Sequence, residues 1–314
     1  MCGIFGVYNA PKAAELTVIG LHANQHRAID FAGMVSSDGR MLHRERGKGL
    51  ARQVFTKEML DALHGRAAIG HMRYPTSGVK DSGLDDIQPV EGIYGGRQFA
   101  VAHNGNLTNV EELKLLYPDL RRYTTMDTEF IVRILEHEQT GDLVADLKRM
   151  LPKLKGSYSL LIMTPDILVA VRDPTGNRPL SLGQIGESIF LSSETCAFPN
   201  VDARYMRDVG PGTIMIINSS GVRTEAFAEP RLKKCRFEAI YVSHPASIVD
   251  GEEVADFRIR AGRNLEELFP VDADVVTGIP DSGNFYAMGF GESGRSGAFF
   301  PAILRNHYVG RTFI

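Results

Sequence analysis

Only three cysteines occur in 314 residues: Cys2, Cys196 and Cys235. They are too few and too scattered for a disulfide or zinc framework, which favours a reducing, cytoplasmic compartment. No Lys/Arg block stands out, and 35 basic against 38 acidic residues leave a formal charge of −3. A sequence-independent nucleic-acid binder carries a basic footprint, so nucleic acid is not an expected partner. No apolar run approaches the roughly 20 residues needed to cross a bilayer. The N-terminus also lacks the basic-then-apolar pattern of a signal peptide, so no membrane partner is expected. Internal repeats and low-complexity tracts are missing too. What is there is ordinary globular composition, with 43% hydrophobic and 23% charged residues to build a sizeable core. The length fits two domains or one large one.

Cys2-Gly-Ile-Phe-Gly-Val-Tyr8 reads as a short buried strand. Pro11 opens a helical stretch whose apolar face is Ala14, Val18 and Leu21. Further strands are expected over 67–74, 98–103, 157–163, 167–172, 188–192 and 213–217, and helices over 57–64, 109–116, 128–138 and 143–151. Grouped strands with paired helices suggest two stacked sheets flanked by helices. Near residue 230 the style changes, and Glu229-Pro-Arg-Leu-Lys-Lys234 reads as a linker. Beyond it the pattern gives a strand over 238–242, a helix over 254–268, a strand over 274–279, a helix over 285–290 and a strand over 299–304. These are the first steps of a parallel α/β domain. Parallel strands need long crossovers and helices on both faces, so the domain is expected to be incomplete within these residues. The expected division is 2–230 and 231–314.

Cys2 is the first residue with chemistry in it. Once Met1 is removed, it carries a thiol and a free α-amine, and such an amine titrates near ~7.7–8.0. Part of it is then unprotonated at neutral pH and can take the thiol proton. Four later segments stand out: Gln25-His-Arg27, Gly70-His-Met-Arg-Tyr-Pro-Thr76, Ala102-His-Asn-Gly-Asn-Leu-Thr108 and Thr124-Thr-Met-Asp-Thr-Glu129. Singly, each has a plain structural explanation. Arg73 fits a surface ion pair, Asn104-Gly105 a hairpin turn and Asp127 a helix N-cap. Together they meet the demands of free glutamine. Arg73 can grip its carboxylate with two N–H bonds and Asp127 can pair with its ammonium. The Asn104 amide and the Gly105 N–H can face the oxyanion formed when a thiol attacks the side-chain amide. Glycine at 105 lets the backbone approach the substrate closely.

These segments, in this order and spacing, resemble the class II (N-terminal nucleophile) glutamine amidotransferases over 2–230. Arg172-Asp-Pro-Thr-Gly-Asn-Arg-Pro-Leu180, Ser192-Ser-Glu194 and Asn306-His-Tyr-Val-Gly-Arg-Thr-Phe-Ile314 are similar to the amidophosphoribosyltransferase family within that group. The resemblance implies an α+β fold, a four-layer αββα N-terminal-nucleophile sandwich followed by an incomplete phosphoribosyltransferase-type α/β segment. It implies that Cys2 forms a glutamyl thioester and frees ammonia, with Asn104 and Gly105 as the oxyanion hole. Arg73, Asp127, Arg27, Tyr74 and Thr76 would bind glutamine, the last two on a loop that closes over it. Ammonia would then attack phosphoribosyl pyrophosphate, with Mg²⁺, in the first step of de novo purine synthesis. Asp281, Ser282 and Gly283 resemble a pyrophosphate-contacting loop, where backbone N–H groups can meet anionic oxygens. A homo-oligomer is expected on the same analogy.

The sequence departs from the family pattern in several places. Ala28 and Ile29 stand where Gly and Gln are usual, and His307 where Arg is usual. The apolar strand ending in two acidic residues, with its Thr/Gly-rich phosphate loop, is missing from these 314 residues, and so are ligands for Mg²⁺. Cys235 matches an iron–sulfur ligand position of some relatives, but no partner cysteines accompany it, so no cluster is expected. The 314 residues alone are therefore expected to support the glutaminase half of the reaction. Two alternatives remain: a short stand-alone glutaminase serving a separate acceptor protein, and a non-catalytic glutamine-binding regulator. The intact set of catalytic residues argues against the regulator. Glucosamine-phosphate synthases share the first domain, but the segment from Asn306 onward speaks against them.

Overall fold

The computed structural model describes residues 2–74 and 83–306. The chain divides into two compact units, Met1–Lys234 and Cys235–Ile314.

The first unit is built on two antiparallel sheets. One has the strand order β11-β9-β10-β1-β4-β2-β3, from Arg204–Asp208, Ser181–Ile185, Ser188–Ser192, Gly3–Tyr8, Ala67–Arg73, Phe31–Ser37 and Leu42–Lys48. The other has the order β13-β12-β8-β7-β6-β5, from Gly221–Ala226, Thr213–Asn218, Leu168–Arg172, Gly156–Met163, Arg97–Leu107 and Val90–Tyr94. The alternation of side chains explains the stacking. In β7, Tyr158, Leu160 and Ile162 face the helices Thr128–Glu138 and Leu143–Met150, while Leu161 and Met163 face the other sheet. In β8, Val169 and Val171 face the helices and Leu168 and Ala170 face inward. Strands buried on both faces read as continuous apolar runs, which is why these two stand out in the sequence. On the far side, Ala14, Val18 and Leu21 of the helix Ala13–Ala23 pack on Phe5, Met72 and Phe190. The result is the expected αββα sandwich.

In the second unit, the helices Val254–Leu268 and Ser282–Phe290 meet backbone to backbone. A Cβ at Gly289 would lie 1.9 Å from the Ile259 carbonyl oxygen. Val275–Val276 and Ala298–Phe299 pair in parallel, as a βα step requires, but each is only two residues long. The expected strand over 238–242 is instead a π-helical turn. Ser243 N–H closes it on the Glu238 carbonyl at 2.9 Å, and the buried Arg258 secures it through the Ala239 and Ser243 carbonyls, both at 2.9 Å. The apolar Ala-Ile-Tyr-Val run suggests a strand locally, and these long-range bonds override it.

Candidate active site

Cys2 immediately precedes β1, which is hydrogen-bonded on both sides, to β10 and β4. Gly3 lies opposite Met72, which brings Cys2 and Arg73 to the same end of adjacent strands. Arg27 holds the Cys2 backbone, its Nε donating to the Cys2 carbonyl at 2.9 Å. Arg27 is completely buried, and its guanidinium also pairs with the buried Glu194 carboxylate. His26 Nε2 lies 2.7 Å from the same Glu194 oxygen. The 3₁₀ turn Gln25–Arg27 is therefore a clamp on the start of β1. Glu194, marked in the sequence only as part of the Ser192-Ser-Glu194 resemblance, is given its role by this contact.

Burial pushes the Cys2 thiol above its ordinary value. The Tyr74 backbone N–H and the Arg73 charge pull it down, while Asp127 adds to the rise. At neutral pH the thiol is protonated and needs a base before it can attack.

The edge of β6 carries a second feature. Gly105 faces Tyr158 across the β6–β7 pair. Tyr158 turns its own backbone groups the other way: its N–H donates to Asp173 Oδ2 at 3.0 Å, and its carbonyl accepts from Asp173 N–H at 2.9 Å. Gly105 and Tyr158 are thus a pair without mutual hydrogen bonds, so the Gly105 N–H points away from β7. The same parity applies to His103 and Leu107, and both are satisfied on that side. His103 N–H donates to Gln88 Oε1 at 2.7 Å and Leu107 N–H to Asp127 Oδ2 at 2.8 Å. The β5 pairing ends with Val90 opposite Val101, short of this stretch. Gly105 therefore presents its N–H off the sheet edge, between two anchored neighbours. A Cβ here would lie 2.0 Å from the Ser157 carbonyl oxygen, so no other residue fits. Asn104, expected with Gly105 in a turn or an oxyanion hole, lies within the strand and is buried.

Arg73 and Asp127 bring opposite charges to the site. Arg73 stacks over Phe31, 5.8 Å from the ring centroid, and donates to the Asp86 carbonyl at 2.6 Å. The Asp86 carboxylate in turn accepts from Thr125, from N–H at 3.3 Å and from Oγ1 at 3.1 Å. Asp86 thereby ties Arg73 to the loop that carries Asp127. Glu129 fixes that loop from its other end, accepting the Tyr123 and Thr124 N–H groups at 2.9 and 2.8 Å. Asp127 precedes the helix Thr128–Glu138, but its side chain makes no cap bond there and turns to Leu107. Burial alone would raise its pKa. His103 and the backbone N–H bonds outweigh burial and hold it below the usual carboxylate range. Thr76 lies outside the described residues. A cavity of about 760 Å³ opens at the opposite end of β1, lined by Tyr8, Asn9, Asp38, Arg66, Asp166 and Glu187, and holds none of these groups.

In the second unit, Ser282 and Gly283 open the helix Ser282–Phe290, with Asp281 at its N-cap. Asp281 is ion-paired with Arg305 at 2.8 Å, and the Gly283 N–H is engaged by the Ile279 carbonyl at 3.0 Å. His307 and the residues after it lie outside the described residues.

Residues 79–200 match the glutamine amidotransferase domain family. Amidophosphoribosyltransferase of Methanocaldococcus jannaschii is 38% identical, across all of this chain and 71% of its own length. That of Bacillus subtilis is 39% identical, across all of this chain and 66% of its own. The chain belongs to the amidophosphoribosyltransferase family. The solved structure of the Bacillus subtilis glutamine phosphoribosylpyrophosphate amidotransferase, complexed with ADP and GMP, superposes with a TM-score of 0.93. That match is 39% identical and covers 100% of this chain and 68% of the other. The chain spans between 55 and 71% of the length of eight curated amidophosphoribosyltransferases that it matches, so it is compared with only part of each. Among the described residues, no helix is long and apolar enough to cross a membrane.

Proposed function

We propose that the first unit hydrolyses glutamine at Cys2, and that the ammonia is destined for phosphoribosyl pyrophosphate, giving phosphoribosylamine in the first step of de novo purine synthesis. The observation that carries this reading is the Gly105 N–H, aimed off the β6 edge between two satisfied neighbours. Arg73 takes the glutamine carboxylate and Asp127 its ammonium. With Met1 removed, the Cys2 amine accepts the thiol proton as Sγ bonds to the side-chain amide carbon. The carbonyl electrons move onto oxygen, where the Gly105 N–H and the Asn104 amide receive the charge. One such donor is typically worth ~3 kcal/mol in the transition state. Collapse of the intermediate breaks the C–N bond, and the proton held by the amine leaves with ammonia. Water then cleaves the thioester to give glutamate and restore the thiol. Arg27 acts here by holding Cys2, and the resemblance assigns Tyr74, with Thr76 outside the described residues, to a loop over the substrate.

The family likeness supports Asp281, Ser282 and Gly283 as a pyrophosphate-contacting loop, and a homo-oligomer; the few, scattered cysteines support a reducing, cytoplasmic compartment. Mg²⁺ is expected for phosphoribosyl transfer, but among the described residues no cluster of three or more His, Cys, Asp or Glu could hold a metal. Such an ion is ordinarily held by one or two carboxylates together with substrate phosphates. The test is glutamate release by the protein and by Cys2→Ala. The variant should release none above background. Hydrolysis at the normal rate would end this reading.

A further inference from the structure

We infer that Ser193 is a positioning residue that aims the Asn104 amide at the oxyanion. The inference rests on the reading of Asn104 given above. Strand β10 leaves its sheet at Ser193. Here the Ile4 N–H bonds to the Ser193 hydroxyl oxygen at 3.0 Å, while the Ser193 N–H donates to the Ile4 carbonyl at 3.0 Å. A side-chain oxygen thus closes the ladder two residues after Cys2, where a carbonyl ordinarily would. The same oxygen accepts from Asn104 Nδ2 at 3.4 Å. Ser193 is 0% exposed and Asn104 1%, so water does not compete for either group.

A hydroxyl oxygen has two lone pairs, and here each receives one N–H. One comes from the strand that carries the nucleophile, in one sheet. The other comes from the oxyanion donor on β6, in the opposite sheet. Ser193 therefore sets the distance between the attacking sulfur and the amide that must receive the charge. It also fixes which end of the Asn104 amide faces it. With one Nδ2 proton spent on Ser193, the second projects roughly 120° away and remains for substrate. Without Ser193 the amide can turn, and a misaimed donor loses much of its worth.

The test separates oxyanion positioning from general damage. Alkylation of Cys2 by iodoacetamide is a displacement at carbon that forms no oxyanion, whereas glutamine hydrolysis forms one. In Ser193→Ala, kcat for glutamine should fall about 10–100-fold, with KM and the Cys2 alkylation rate each within about two-fold of wild type. In an Asn104→Ala background, adding Ser193→Ala should change kcat by less than about two-fold, because the group it positions is gone. An unchanged kcat in Ser193→Ala overturns the inference. So does a parallel loss of alkylation rate, which would put the effect on the nucleophile strand through Ile4, and so do additive losses in the double variant. If Asn104→Ala alone hydrolyses glutamine at the full rate, the reading of Asn104 fails and this inference with it. If Asn104→Ala is slow while Ser193→Ala is not, only this inference fails.

Discussion

Arg27 joins Cys2 to Glu194, one nitrogen on the Cys2 carbonyl at 2.9 Å and another on a carboxylate that water does not reach. A buried pair of this kind adds little net stability when whole, but losing one partner strands the other's charge. Glu194→Ala should therefore cost about 3–5 kcal/mol of folding stability. Urea unfolding of the variant measures this. A loss under about 1 kcal/mol would mean that Arg27 finds another partner.

Gly105→Ala places a methyl carbon where the Ser157 carbonyl oxygen stands. Strand β6 must shift to make room, and overpacking of this kind typically costs about 1–3 kcal/mol. Glutaminase turnover should fall by more than the loss of folded protein accounts for, since the N–H moves with the strand. Turnover per folded molecule equal to wild type would remove Gly105 from the reaction.

Asp127 keeps its negative charge well below neutral pH, because His103 and the Leu107 N–H outweigh the burial that opposes it. KM for glutamine should therefore stay flat as the pH falls from 7 towards the ordinary carboxylate range, on account of this group. Asp127→Asn keeps an acceptor for Leu107 but loses the ion pair proposed with the substrate ammonium. A charge-assisted hydrogen bond of about 1.5–3 kcal/mol corresponds to a KM rise of about 10–100-fold with kcat little changed. A rise in kcat defect with no change in KM would point to a role in chemistry instead.

His71 is fully buried, and neither ring nitrogen has a hydrogen-bond partner. Burial first, then the neighbouring His103 and Arg73 charges, pull its pKa down to about 3. The folded protein refuses a proton that the unfolded chain accepts below about 6.5. Stability should thus fall as the pH drops from 6.5 towards 3, by at most ~1.4 kcal/mol per pH unit from this residue. In His71→Gln the acid limb should be shallower than in wild type, as read from urea unfolding between pH 7 and 4. Equal slopes would show that other groups set the acid limit.

The strands that the sequence reveals best are those buried on both faces, β7 and β8, where apolar residues run without a break. Strand β3, Leu-His-Arg-Glu-Arg-Gly-Lys, leaves no such trace because it lies at a sheet edge and is held by its pairing with β2. Edge strand β13, Gly-Val-Arg-Thr-Glu-Ala, is hidden for the same reason. Strand β6 was expected to end at His103, since Asn-Gly-Asn suggests a turn, yet its pairing with β7 carries it on to Leu107. At the candidate site, Cys2, Arg73, Asn104, Gly105 and Asp127 are conspicuous by residue type and spacing. Asp86 is not, and Ser193 and Glu194 are marked only as part of the Ser192-Ser-Glu194 resemblance, with no role assigned, because the partners that give them one lie elsewhere in the sequence.

The Ser193 and Glu194 contacts also have a consequence for the order of assembly. Ile4 meets Ser193 across 189 residues, and Arg27 meets Glu194 across 167. Contacts of such separation form only after a large loop has closed, and they tend to form late. Strand β1 precedes its β10 neighbour by most of the first unit, so β10 can join it only once that length of chain is available. Until β10 joins, Cys2 has neither the Glu194 end of its clamp nor a second flank to its strand. The topology that makes this strand late to complete thus makes the surroundings of Cys2 among the last parts of the unit to form.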